Sequence, residues 1–388
     1  MRELTAQQIE AVEKFRRLKV GALFMEMGTG KTQAAVSIID TAEDVDLLLW
    51  VCPCQTKDNL RAELDKCRCR YPAEIVGVES IGQSDRIFLE VLNKAKAAKK
   101  AFIVVDESIK IKNMRAKRTK RLLQIADYSE YRLILNGTPI TRNIVDIYAQ
   151  MRFLSPKILD ITWQRYRGNY CSYKQYKRNG KTYKTIITGY ANIEHLLSII
   201  GPYIYQCNLN IPNKKKYHTV HWYMTDGEEH IYQELKKELL SRIDEYGDVY
   251  IPGVFQKLQH SYCCAADKLK ALDGLVTDKS IIYCRFIRSA EAVQARYPQA
   301  LVLTYGKGAF GLNLQAYNRV IYFDKTWDYA FREQSEARIY RTGQKDDCEY
   351  YDITGDVGLE GIMDRCIDRK ISLVDYFKEQ GRKLLEQL

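Results

Sequence analysis

Short apolar runs of three to five residues, rich in β-branched and aromatic side chains, recur along the chain with helix-length segments between them. In the first half they are Ala22–Met25, Leu47–Val51, Phe102–Val105 and Arg132–Leu135. In the second half they are Ile281–Cys284, Leu301–Leu303, Val320–Phe323 and Tyr350–Ile353. A strand covered on both faces reads as a continuous apolar run rather than an alternating one, so this rhythm points to buried parallel strands in an α/β fold. The rhythm occurs twice, and the stretch from about Ser155 to Tyr262 lacks it. That middle region is rich in Tyr and Lys. It contains one clear helical pattern, Asp226 to Tyr246, with Ile231, Leu235, Leu239 and Ile243 at helical spacing. The expected organisation is a first α/β lobe over 1–154, an inserted, partly helical region over 155–262, and a second α/β lobe over 263–388.

The chain has 388 residues, 46% of them hydrophobic, enough for two or three cores. With 28% charged and 11% aromatic residues it is not a disordered chain. Apolar runs such as Leu47 to Cys52 fall far short of the roughly 20 residues of a membrane span. The start, Met-Arg-Glu-Leu-Thr, has no apolar signal-peptide core. The expectation is a soluble cytoplasmic protein.

Sixty Lys and Arg against 49 Asp and Glu leave a formal charge of +11, which suits a polyanionic partner and suits solubility equally. The distribution is more pointed. Lys110 to Arg121 carries seven cations and no acid, Tyr173 to Lys184 interleaves cations with tyrosines, and Lys214 to Lys216 is a short basic run. The 11 cysteines mostly fall beside apolar runs, as reduced thiols do. Cys52, Cys54, Cys67 and Cys69 form two C-x-C pairs, shorter than the C-x2-C spacing usual for zinc.

Three groups carry chemistry. Phe24 to Thr32 reads as a strand, a Gly-Thr-Gly turn and a helix start. Gly28, Thr29 and Gly30 would turn backbone N–H groups toward phosphate oxygens, Lys31 would set its charge on them, and the Thr32 hydroxyl would ligate magnesium. The strict pattern wants a glycine where Met25 stands. Phe102–Val105 ends in Asp106 and Glu107, two acids at the carboxyl end of a buried strand. Asp106 would hold the metal and Glu107 would orient and deprotonate the attacking water; the pair alone reads equally as a helix N-cap. Near the other end, Arg338 and Arg341 are three apart, on one helix face or at its end. They could stabilise charge on a transferring phosphoryl group, although the spacing alone fits two solvated arginines.

With these groups in order, the chain resembles a superfamily-two helicase-like ATPase and, within that group, the Swi/Snf-type DNA translocases. Leu4 to Gln8 resembles the adenine-side glutamine motif, and Val51-Cys52-Pro53 the strand end that touches a nucleic-acid backbone. Asp106 to Asn113 resembles the Asp-Glu-Ala-His box with its trailing Lys-Asn. Leu135 to Ile140 resembles the coupling motif, followed by Leu154-Ser155-Pro156. Lys307 to Gln315, with Asp324 and Trp327, resembles the second-lobe DNA motif, and Gln334 to Gln344 the arginine-finger motif. The departures are Ile109 at the histidine position, Asn136 in place of threonine, and a short interval from Phe286 to Lys307 that suggests a trimmed second lobe.

The resemblance implies two RecA-like lobes closing on ATP and Mg2+. Gln8 and Gln334 would join the phosphate loop in holding nucleotide. Lys31, Glu107, Arg338 and Arg341 would be catalytic, and Thr32 and Asp106 would hold the metal. Pro53, Lys112, Lys307, Asn313 and Trp327 would contact DNA. It further implies a bare, monomeric motor of the kind seen in phage or bacterial members, acting in the bacterial or phage-infected cytoplasm with a nuclear location left open. A protein partner completing the second lobe would fit the shortened interval. The function expected is a DNA-dependent ATPase that translocates on duplex DNA. A strand-separating DNA or RNA helicase is the alternative within the enzyme class. An ATP-gated DNA-binding module with little turnover is the alternative outside it.

Overall fold

In a computed structural model, which describes residues 3–137, 144–178, 181–246, 251–305, 314–326 and 329–369, the apolar runs of the first half become strands of one parallel sheet. The strands up to residue 210 are β1 (Val20–Met25), β2 (Leu47–Cys52), β3 (Ala73–Gly77), β4 (Ala101–Val105), β5 (Tyr131–Asn136), β6 (Cys171–Arg178), β7 (Lys181–Tyr190) and β8 (Ile204–Cys207). Six of them pair in the order β3-β2-β4-β5-β1-β8, while β6 and β7 form a separate antiparallel ribbon. Successive side chains of a strand point to opposite faces. Ile103 and Val105 of β4 accordingly enter one core together with Ala22, Phe24 and Ile134. Phe102 and Val104 enter the other with Leu23, Met25, Leu133 and Leu135. Two covered faces are the physical reason that these strands read as unbroken apolar runs.

The second unit repeats the plan. β9 (Lys215–Trp222), β10 (Ser280–Cys284), β11 (Leu301–Thr304), β12 (Arg319–Tyr322) and β13 (Cys348–Gly355) pair in the order β11-β10-β12-β13-β9, every pairing parallel. The chain divides at Asn210 into Met1–Asn210 and Ile211–Leu388. The polar middle stretch, 155–262, is therefore shared between the units rather than forming an insertion of its own. Ile158, Leu159, Tyr166, Tyr170, Leu196 and Ile200 fill the first unit's core, and β8 adds an edge to its sheet. From Ile211 onward, β9 extends the second sheet along all eight residues of β13. Edge strands need no continuous apolar run, which is why neither stood out in the sequence.

The helix Asp226–Tyr246 forms where its pattern predicts it, with one position of the buried stripe exchanged. Leu235 and Leu239 pack into the core as expected, while Ile231 is 62% exposed and Tyr232 packs there in its place. The Tyr232 ring lies 6.0 Å from that of Tyr262, a large contact that an aliphatic stripe does not reveal. The side chain of Ile243 lies outside the described residues.

A buried ion pair braces the carboxyl end of β12. Lys268 Nζ meets Asp324 Oδ1 at 2.7 Å with neither side chain exposed. The Arg285 N–H donates to Asp324 Oδ2 at 3.0 Å, and the Tyr305 hydroxyl donates to the Asp324 carbonyl at 2.8 Å. Burial works against the Lys268 charge, yet Asp324 and Glu360 outweigh it and hold the ammonium above its usual value. Removing one partner strands the other charge in a dry interior. Lys268→Met is therefore expected to destabilise the second unit by about 3–5 kcal/mol. Adding Asp324→Asn, which keeps an acceptor for Arg285, should recover a large part of that loss, as read from urea unfolding curves.

Candidate active site

Each chemical group predicted in the first half sits at the carboxyl end of a parallel strand. Past β1 the chain turns through Gly28 at φ 87° and Gly30 at φ 79° and enters the helix Lys31–Ile39. Left-handed backbone is cheap only for glycine. At Gly30 a side chain is also excluded by space, because a Cβ would lie 2.3 Å from Gln8 Nε2. Lys31 Nζ folds back to donate to the Met25 carbonyl at 2.9 Å, and the Thr29 hydroxyl donates to the Glu26 carbonyl at 2.7 Å. The loop is thus held in its curl by its own side chains.

Gln8 reaches the same loop from the preceding helix, Ala6–Phe15. Thr5 and Gln8 form a reciprocal capping box at that helix start. The Gln8 amide nitrogen then donates to the carbonyls of Thr29 at 2.9 Å and Gly30 at 3.3 Å. The residue is buried, so one side chain both caps a helix and fixes the phosphate loop.

Asp106 and Glu107 follow β4, two strands from β1 across β5. Burial first, and the neighbouring Glu107 charge second, push the Asp106 carboxyl up to about 7, while Lys31 pulls it the other way. Glu107 takes left-handed backbone, φ 50° and ψ 54°, as the cap of the short 3-10 turn Ser108–Ile111. Its own N–H donates to Asp106 Oδ1 at 2.9 Å. Beyond β5, Gly137 closes against the phosphate loop: a Cβ there would lie 3.4 Å from Met27 Cγ and 3.8 Å from Lys31 Nζ.

The sequence reading missed a third acid. Thr32 donates its hydroxyl to Glu63 Oε2 at 2.9 Å, and the Glu63 charge also raises Asp106. Glu63 lies on the helix Lys57–Cys67. No local pattern ties it to a threonine 31 residues earlier; only packing of the two helices does. An ammonium, a hydroxyl and a carboxyl relieved by positive charge make a donor set suited to a metal–phosphate group.

In the second unit the helix Tyr329–Glu336 ends before Arg338 and Arg341, which stand in the turns beyond it rather than on a helix face. Ile339, fully buried between them, anchors the segment. The Gln344 amide nitrogen donates to the carbonyls of Tyr317 at 2.9 Å and Ile339 at 3.1 Å, so the Gly343-Gln344 ending serves as a latch on those turns. Arg332 holds the helix itself: it forks onto Asp352, with Nη2–Oδ2 at 2.9 Å, and its guanidinium stands 3.5 Å over the Tyr322 ring. Gln334 Oε1 is shielded from solvent and meets no hydrogen-bond partner among the described residues.

The expected DNA contacts fare differently. Pro53 is buried, its carbonyl taken by the Thr56 N–H at 3.0 Å, and the exposed neighbours are Cys54 and Gln55. Lys112 Nζ faces Asp146 Oδ2 at 3.4 Å. Lys307, Asn313 and Trp327 lie outside the described residues, as do Thr138 to Ile140. Within the basic run, Lys117 and Arg121 meet Asp85, Arg118 donates to the Lys110 carbonyl at 2.7 Å, and Arg115, Lys117 and Lys120 are its exposed cations. Cys52 is buried in the core, and among the described residues no three His, Cys, Asp or Glu side chains gather as a metal site.

Sequence comparison agrees with the class that this site defines. The model of the SNF2-related domain matches residues 49–264, and the chain belongs to that family of helicase-like ATPases. The fruit-fly SWI/SNF-related matrix-associated actin-dependent regulator of chromatin subfamily A-like protein 1 is 25% identical over 186 residues, covering 45% of this chain and 24% of that protein. Mouse helicase ARIP4 is 30% identical over 95 residues, 22% of this chain and 6% of its own length. The chain thus spans a quarter or less of these relatives. Among solved structures, the Sulfolobus solfataricus SWI2/SNF2 ATPase core in complex with dsDNA is 20% identical, with a TM-score of 0.45 over 98% of this chain and 93% of that one.

The raised Asp106 carboxyl carries a stability consequence. Its folded value of about 7 lies above the ordinary 3.8, so between those values the folded protein keeps a proton that the unfolded chain has lost. Stability falls as pH rises through that window, and the penalty is complete above it. Asp106→Asn should therefore raise the stability of the nucleotide-free protein at pH 8 by roughly 2–4 kcal/mol and leave it unchanged near pH 4, as followed by thermal melts at both pH values.

Proposed function

We propose that the chain is a DNA-stimulated ATPase that moves along duplex DNA without needing to separate its strands. The observation that carries this reading is the grouping of Lys31, Thr32, Asp106 and Glu107 at the carboxyl ends of β1 and β4 in one sheet, where open α/β sheets bind ligands. Lys31 supplies a point charge for the phosphates, and the backbone N–H groups of residues 28–32 surround them. Thr32 and Asp106 would hold Mg2+, which when bound neutralises phosphate charge. Glu107 is the base that orients and deprotonates the attacking water. By the family resemblance, Arg338 and Arg341 would take up charge that develops on the transferred group.

Duplex DNA as the partner rests on three supports. The net charge of +11 suits a polyanion. The β6–β7 ribbon region carries Lys174, Lys177, Arg178, Lys181 and Lys184 and no acid. The third is membership of the SNF2-related family, one of whose relatives is named as a regulator of chromatin. Contacts of this kind hold the phosphate backbone without reading sequence, so affinity should fall steeply with salt.

Glu107→Gln should lower ATP turnover by a factor of a hundred or more while leaving ATP binding intact; turnover near wild type in that variant would remove Glu107 from the mechanism. Steady-state hydrolysis with duplex DNA, single-stranded DNA, RNA and no nucleic acid tests the partner. Strong stimulation by duplex that fades with salt supports the proposal. Stimulation confined to single strands or RNA would make the protein a helicase. ATP-dependent DNA binding with negligible turnover would make it a gated binding module.

A further inference from the structure

The turn that carries Glu107 departs from the family box at its next two positions, with Ser108 in place of alanine and Ile109 in place of histidine. The structure gives the first departure a partner. Ser108 is fully buried and its hydroxyl donates to Gln150 Oε1 at 2.6 Å. Gln150, also fully buried, donates through Nε2 to the Asp146 carbonyl at 2.9 Å. Asp146 Oδ2 in turn faces Lys112 Nζ at 3.4 Å. The turn 108–112 is thereby tied at both ends to one helix, Val145–Leu154.

We propose that the Ser108–Gln150 hydrogen bond holds Glu107 in its reactive orientation, with Ser108 and Gln150 as positioning residues for turnover. Glu107 stands in left-handed backbone that a glutamate does not adopt unaided. Its N–H is taken by Asp106 and its carbonyl accepts from the Lys110 N–H at 2.9 Å, both local bonds that travel with the turn. The first tie from the turn to the surrounding fold is the Ser108 side chain, one residue past the base. That bond sits where water does not reach, so no solvent molecule replaces a lost partner, and its geometry is stiff. It also links the base to the stretch after β5, because the helix holding Gln150 begins shortly beyond Gly137, which packs beside Lys31. A shift of that helix would be felt at Glu107 and at the phosphate loop together.

The inference rests on Glu107 being the base, and the test separates the two ideas. Ser108→Ala, Gln150→Met and the double variant are compared with the full wild-type chain. The measurements are kcat and KM for ATP with duplex DNA, nucleotide affinity from a fluorescent ADP titration, and melting temperature. Each single variant should lose about ten- to hundredfold in kcat, with KM and ADP affinity within about twofold of wild type, the pattern of a misplaced catalytic group. The double variant, which removes donor and acceptor together, should recover the melting temperature but not kcat. If kcat stays within twofold of wild type in either single variant, or returns in the double variant along with stability, the pair is structural only and the inference falls. A wild-type protein without turnover would instead overturn the ATPase reading itself.

Discussion

Parallel pairing of β4, β5 and β1 is the constraint on which the first unit's chemistry depends. The register sets Val105 beside Ile134, and Ile134 beside Ala22, so three strands run out in the same direction within a few residues of one another. Whatever follows each strand must then meet at one edge. The phosphate loop, the acid pair and the Asn136-Gly137 approach are those three continuations. An antiparallel neighbour would send one of them to the opposite edge. The candidate site is thus a consequence of strand direction before it is a matter of side-chain identity.

That dependence explains what could be read from the sequence. Strands covered on both faces announce themselves as apolar runs, and all eight runs became strands of the two sheets. The positions of the glycines at 28 and 30, Lys31 and the Asp106-Glu107 pair were legible because each directly follows an apolar run that forms a strand. Other features depend on packing between distant segments. Nothing near Thr32 announces Glu63, and nothing near Ser108 announces Gln150. The edge strands β8 and β9 were hidden because a half-covered strand can be polar, as Lys215 to His221 is. Helical spacing predicted the Asp226–Tyr246 helix and the burial of Leu235 and Leu239 correctly but not the exposure of Ile231, since a tyrosine can outcompete an isoleucine for the core.

The two units spend their stability in different ways. In the first, the site keeps features that oppose folding: a glutamate in left-handed backbone and a carboxyl whose charge its surroundings disfavour. Sites that must meet a charged ligand commonly carry such features, since a fully satisfied site has little to gain from binding. In the second, several buried charges are paired. Lys268 with Asp324, Arg332 with Asp352 and Lys325 with Asp364 tie strand ends to helices. Charges fixed in this way give a rigid frame for Arg338 and Arg341, whose turns hang from the Ile339 anchor and the Gln344 latch.

The late arrival of β8 has a further consequence. Each unit is contiguous in sequence, so the first can bury its core while the ribosome is still making the second. Its sheet, however, stays open on one side until Ile204–Cys207 is synthesised, because β8 is the neighbour that covers β1. Through that interval the strand leading into the phosphate loop presents a row of unpaired backbone groups, the kind of edge to which another nascent chain adds. Only after residue 207 emerges is that edge sealed.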